Sequence, residues 1–175
     1  MRIQSSHPLG LDINHHKFWI NMNCVFCDIV KGRVPCHKIW ENDEHLAFLS
    51  IFPNTKGFSV VITKEHFSSY AFGQEDQILT KLILATKSVA LLLDESLEGV
   101  GRTGMFFEGY GIDHLHSKLF PMHGTGNNSD FKNIESKLNK YFNSYEGYIS
   151  SHDCDQADDD ELKRLANKIR KTKLK

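Results

Sequence analysis

The 175-residue chain contains no apolar run approaching the roughly 20 residues that cross a bilayer, and its N-terminus lacks a signal-peptide core. A soluble, cytoplasmic protein with no membrane partner is expected. Excess charge is also missing. Lys and Arg number 21 against 22 Asp and Glu, which removes any whole-protein electrostatic case for nucleic acid or a membrane surface. Cysteine is sparse: Cys24, Cys27, Cys36 and Cys154. In a reducing compartment the close Cys24/Cys27 pair reads as metal-binding or redox, not as part of a disulfide framework. Internal repeats and low-complexity domains are absent.

The remainder is ordinary for a globular protein. Hydrophobic content of 40% and charged content of 25%, over this length, suit one domain with a real core. Lys168, Arg170, Lys171, Lys173 and Lys175 cluster near the C-terminus. A solvated helix end accounts for them, because cations suit that end of the dipole.

The stretch from Gly109 to Pro121 carries the densest chemistry. His114, His116 and Lys118 alternate with Leu115, Ser117 and Leu119, which in a strand puts two imidazoles and an ammonium on one face. Three nitrogens beside Gly109 and Gly111 make a candidate phosphate or metal site. A half-solvated antiparallel strand has the same pattern. Pro121 marks where strand pairing should stop.

Around this stretch the chain reads as α+β. Strands are expected at Lys38 to Asp43, Leu46 to Ile51, Phe58 to Ile62 and Gly104 to Glu108, with the His114 strand fifth. The first three, joined by short turns, suggest an antiparallel meander. A long helix spans 75–95, and Gly99 and Gly101 end that region. Its Ile78, Leu79, Leu82, Ile83, Ala85, Ala90, Leu92 and Leu93 form an apolar face too broad for one sheet to cover, which suggests a second subunit. A further helix is expected over Ile134 to Phe142 and a short extended piece over Tyr145 to Ile149. Asp158, with Glu161 three residues on, should cap a last helix carrying Leu162, Leu165, Ala166 and Ile169. Residues 1–21 read as a polar extension, disordered or weakly docked. Cys24-Val25-Phe26-Cys27 is half a zinc site. A thioredoxin-like reading needs a preceding strand, and none is apparent. His66 falls just after the third strand, in a short helix or turn, a position suited to a ligand and equally to a surface histidine.

Four segments, in order, resemble the histidine triad (HIT) family: 24–35, its opening segment; 38–53, its first hairpin; 57–66, the strand ending in a basic residue and histidine; and His114-Leu115-His116, the first two histidines of the triad. The resemblance covers about 24–123 within an expected domain of 22–126, leaving 127–175 as a C-terminal helical extension. It implies a HIT-like fold, with a five-stranded antiparallel sheet, and a homodimer through the long helix and sheet edge. It also implies attack by a histidine, here His116, on the α-phosphorus of a nucleoside phosphate derivative, followed by hydrolysis or nucleotidyl transfer. His114 and Lys118 would complete the catalytic group. Phe26, Ile29, Phe48 and Ile51 would contact the nucleoside, with Ser50 where the family has the acidic residue that holds the ribose. In some relatives two cysteines and two histidines hold zinc; by position these are Cys24, Cys27, His66 and His114. The departures are concentrated at the site. The third triad position is Lys118, Glu108 replaces the usual asparagine, and the loop before His114 is short and lacks the family's Gly-Gln and serine region. Two alternatives follow: a catalytically weak nucleotide- or phosphate-binding protein, and a zinc-stabilised dimeric interaction module.

Overall fold

The computed structural model describes residues 24–126, 141, 143–145 and 155–173. Five strands form one antiparallel sheet: β1 (His37–Glu41), β2 (His45–Leu49), β3 (Ser59–Thr63), β4 (Val100–Phe106) and β5 (His116–His123). Their order is β1-β2-β3-β5-β4, so the histidine strand lies inside the sheet and β4 forms one edge. The helices are α1 (Val25–Val30), α2 (Asp76–Ser96) and α3 (Asp159–Lys171), with a 3₁₀ turn at Ala71–Gly73. The expected α+β class and five-stranded sheet are present.

Both faces of the sheet are covered. This explains why β2 and β3 read as nearly continuous apolar runs: every residue in each is buried. On one face Ala47, Leu49, Val61, Leu115 and Leu119 pack against Leu82, Val89 and Leu93 of α2 and against Leu162, Ala166 and Ile169 of α3. On the other, Phe48, Phe58, Val60 and Ile62 pack with Phe26 of α1. The period-two pattern of β5 thus divides between two cores. Ser117, on the α2 side, hydrogen-bonds Thr86 through hydroxyls 2.7 Å apart, so two buried polar groups satisfy each other and tie the histidine strand to the long helix.

Several boundaries differ from the sequence expectation. β4 begins at Val100 and takes in Gly101, a residue that the sequence pattern assigns to the end of the helix region. Pairing with β5 overrides the low strand propensity of its glycines, and the register shifts between Val100 and Thr103. Pro121 does not stop β5: its Cα partner is Thr103, and pairing runs on to His123. β3 leaves β5 at Leu119, so at Pro121 only β4 flanks the strand and a missing N–H is tolerated. The short helix α1 has no counterpart among the expected elements. The helix expected over Ile134 to Phe142 and the extended piece at Tyr145 to Ile149 fall largely outside the described residues, as do 1–21 and Cys154.

The last helix forms as its pattern suggests. Asp158 accepts from the Glu161 N–H at 2.9 Å, satisfying one of the first-turn donors. α3 is fixed to the sheet by the Arg170 guanidinium donating to the Lys38 carbonyl, and the Ala157 N–H just before it donates to the Ile51 carbonyl at 2.9 Å. Ile169 is fully buried. Ile169→Ala is expected to cost about 2–4 kcal/mol. Urea unfolding should show this as a lower midpoint with unchanged slope; a midpoint within error of wild type would mean that α3 is dispensable to the core.

Candidate functional site

Two linked centres lie on the α1 side of the sheet. The first is a cluster of Cys24, Cys27, His66 and His114, whose ligand atoms all lie within 4.8 Å of one another. Cys24 stands at the N-cap of α1 and Cys27 in its first turn, so one helical turn aims both sulfurs the same way. His66 comes from the turn after β3 and His114 from the lead-in to β5. The His114 tautomer follows from its contacts. Nε2 is 2.8 Å from the Thr63 carbonyl oxygen, which can only accept, so Nε2 carries the proton. The Nδ1 lone pair then faces Cys24 Sγ at 3.4 Å and Cys27 Sγ at 3.6 Å. His66 Nδ1 lies 3.3 Å from Cys27 Sγ.

These spacings fit a tetrahedral metal. Zinc bonds of about 2.3 Å to sulfur and 2.0–2.1 Å to nitrogen separate S and N ligands by roughly 3.5–3.6 Å. The donor set of two thiols and two imidazoles is equally suited to zinc. Burial, reinforced by neighbouring Cys24, pushes the Cys27 thiol up to about 11. Without metal it therefore keeps its proton at neutral pH, and metal binding must displace that proton.

Burial also lowers His114 to about 4, and it lowers His45 and His116 as well. The folded state thus binds fewer protons than the unfolded chain between about pH 4 and 6.5. A histidine with a depressed folded pKa contributes stability that is fully present above about 6.5 and is lost as pH falls toward 4. For the metal-free protein, His114 alone should remove about 3 kcal/mol between pH 7 and pH 4. Urea unfolding at the two pH values checks this, and equal stabilities would contradict it.

The second centre is a cavity of about 490 Å³, within the range of small-molecule sites. Its walls include Phe26, Ile29, Phe48, Ser50 and Ile51, together with His116, Lys118, Glu108, Tyr110 and Gly111. The five residues expected to contact a nucleoside therefore share one cavity with two of the three expected catalytic residues. The third, His114, is fully buried and not in the lining. Its side chain belongs to the metal cluster, and its backbone oxygen accepts from His116 Nδ1 at 2.6 Å. A carbonyl cannot donate, so His116 Nδ1 is protonated and Nε2 holds the lone pair. Burial keeps the ring neutral at pH 7 by lowering its pKa. Phe26 stands edge-on to both His116 and His114, with ring centres 5.3 and 5.7 Å apart respectively. It is the packing link between cluster and cavity.

Lys118 lies beside Val60 on β3 and Phe106 on β4. Its ammonium is 2.5 Å from a Glu108 carboxylate oxygen, and both side chains are largely buried. In the sequence, Glu108 stands out only as a departure from a pattern. Val34, Pro35, Cys36, Phe58, Val60 and Ile112 also line the cavity, and no role for them follows from the sequence analysis. The period-two alternation of Phe58 and Val60 with Ser59 and Val61 is the available signal for two of them.

The loop before His114 depends on glycine. Gly109 and Gly111 have φ of +65° and +85°, which L side chains rarely adopt. Ser69 fastens this loop: its N–H donates to Asp113 at 2.8 Å and its hydroxyl to the Gly109 carbonyl at 3.1 Å. Tyr110 between the glycines is exposed at the cavity rim.

An antiparallel sheet presenting a neutral, oriented histidine to an apolar cavity, beside a Cys₂His₂ cluster, defines a class of small α+β proteins. The HIT domain model matches residues 31–124, and the chain belongs to the HIT family. It is 34% identical over 100 residues to an adenosine 5'-monophosphoramidase of Schizosaccharomyces pombe, covering 57% of this chain and 74% of the relative. Among solved structures it is similar to a hypothetical histidine triad nucleotide-binding protein of Sulfolobus tokodaii, with TM-score 0.63 and 20% identity over 84% of this chain and 89% of the other. It is also similar to a Zn-bound histidine triad family protein of Mycobacterium smegmatis, with TM-score 0.59 and 21% identity over 85% and 91%. At these identities the solved structures establish the fold. Among the described residues no helix is long and apolar enough to cross a membrane.

Proposed function

We propose that the protein hydrolyses, or transfers a nucleotide from, a nucleoside phosphate derivative, with His116 as nucleophile. The carrying observation is the hydrogen bond from His116 Nδ1 to the His114 carbonyl, which leaves Nε2 as the attacking atom in a cavity of nucleotide size. The relative described as an adenosine 5'-monophosphoramidase supports a phosphoramidate-type substrate. Phe26, Ile29, Phe48 and Ile51 would enclose the base, and Ser50 would lie by the ribose. Lys118 would bind phosphoryl oxygen, and N–H groups around Gly109 and Gly111 would stabilise charge as the transition state forms. His114 acts through its carbonyl, as a positioning residue.

Cys24, Cys27, His66 and His114 would hold a zinc ion. All four positions are then filled by protein, so the metal supplies a crosslink and not a catalytic water. The Zn-bound relative supports this. The outer side of α2 carries exposed Ile83, Leu84 and Leu91, and the β4 edge carries exposed Met105. A homodimer burying both is the assembly these surfaces suit.

A binding protein with little turnover is the second reading. The Lys118–Glu108 pair favours it, because lysine at the third position cannot relay a proton as imidazole does near neutral pH. Release of AMP from an adenosine 5'-phosphoramidate distinguishes the two. Multiple turnovers support the enzyme, whereas thermal stabilisation by AMP without product release supports the binder.

A further inference from the structure

Glu108 lies two residues beyond Phe106, the β4 register partner of Lys118. The chain therefore returns its side chain to the face that carries Lys118 and His116, and all three line the cavity. The Glu108 carboxyl is only 8% exposed and Lys118 is 17% exposed. A buried carboxylate is an unusual wall for a site that must receive phosphate, because like charges repel strongly where water is excluded. Its ion pair with Lys118 uses one of the three ammonium donors and cancels the charge. The remaining donors can serve one phosphoryl group, but the pair offers no net positive charge to further phosphates.

We propose that Glu108 is a specificity-determining residue, which selects substrates with an amine leaving group over those with a polyphosphate leaving group. The inference rests on His116 attacking the α-phosphorus. His116 Nε2 forms a bond to phosphorus as the bond from phosphorus to the amine nitrogen breaks. The bonding electron pair goes to the amine, which takes a proton from solvent. Water then displaces His116 from phosphorus and gives a proton back to solvent, so phosphoramidate and water become nucleotide and amine. Positive charge grows on the departing nitrogen as it is protonated, and the Glu108 carboxylate complements that charge. A polyphosphate leaving group carries negative charge to the same place and is opposed by it.

The test compares kcat/KM for an adenosine 5'-phosphoramidate and a diadenosine polyphosphate in wild type, Glu108→Gln, Glu108→Asp and Lys118→Met. Wild type should favour the phosphoramidate. Glu108→Gln should narrow that preference by roughly tenfold or more, mostly by gaining on the polyphosphate, and Glu108→Asp should restore it. Lys118→Met should widen it, because the carboxylate loses its counter-charge. A uniform loss on both substrates, or the same direction of change in Glu108→Gln and Lys118→Met, would overturn the proposal. If wild type turns over neither substrate, the nucleophile reading fails separately. Calorimetric binding of AMP and ATP then decides: a preference for AMP that shrinks in Glu108→Gln supports charge selection, and an unchanged preference overturns it.

Discussion

His116→Ala is expected to reduce nucleotide release by roughly 10³-fold or more while leaving the melting temperature close to that of wild type. The geometry explains both halves. The His116 ring is held by one short hydrogen bond to the His114 carbonyl and by the edge-on contact with Phe26. It is buried and neutral, so on the proposed mechanism its free nitrogen would attack without first losing a proton. Alanine would remove the proposed nucleophile. The strand itself survives, because β5 pairs with β3 over His116 to Leu119 and with β4 from Lys118 onward, and Leu115 and Leu119 remain anchored in the opposite core. The apolar wall proposed for the nucleoside is untouched, so AMP should still stabilise the variant in a melting assay. Retained turnover would transfer the nucleophile's role elsewhere. Lost folding would make His116 structural.

Stripping metal should have the largest effect on stability. The four candidate ligands come from α1, the turn after β3 and the entry to β5, so an ion there ties together segments from Cys24 to His114. Free zinc at a thousand times its dissociation constant stabilises a folded site by about 4 kcal/mol. In a chain of this size that corresponds to a melting shift of roughly 8–16 °C. Scanning calorimetry of zinc-loaded and chelator-treated protein measures it, with Cys27→Ser as the control that should no longer respond. Activity should fall along with stability, because Phe26 lies between Cys24 and Cys27 in the chain and packs against His116. A loaded protein that contains no zinc, or melts identically after chelation, would show that no metal crosslinks these segments.

The alternation around His116 makes the division between site face and core face legible in the amino-acid sequence alone. Leu115 and Leu119 enter the α2 core, while His116 and Lys118 face the cavity. The hairpin and third strand are likewise legible from apolar runs and turn residues. What is not legible depends on contacts between distant segments. The Lys118–Glu108 pair requires the β4–β5 register, and the glycines at 99 and 101 hide the first residues of β4, whose later part is legible. Pro121 looks like a terminator because local preference does not reveal that β3 has already left its side of the strand. The six residues of α1 are too few for a helical period. The amphipathic pattern of α3 is plain, but its docking beside α2 is not, nor is its tether to Ile51 in the cavity wall. His114 shares the face pattern of His116, yet its Nδ1 is turned to Cys24 and Cys27. The Thr63 carbonyl, through its hydrogen bond from Nε2, holds that orientation.

The role of His116 is tested most directly by the mass of the protein quenched during turnover of an adenosine 5'-phosphoramidate, followed by peptide fragmentation. One adenylyl group is expected on His116 in wild type and none in His116→Ala. Turnover with no adduct at any quench time, or an adduct on another residue, would contradict it.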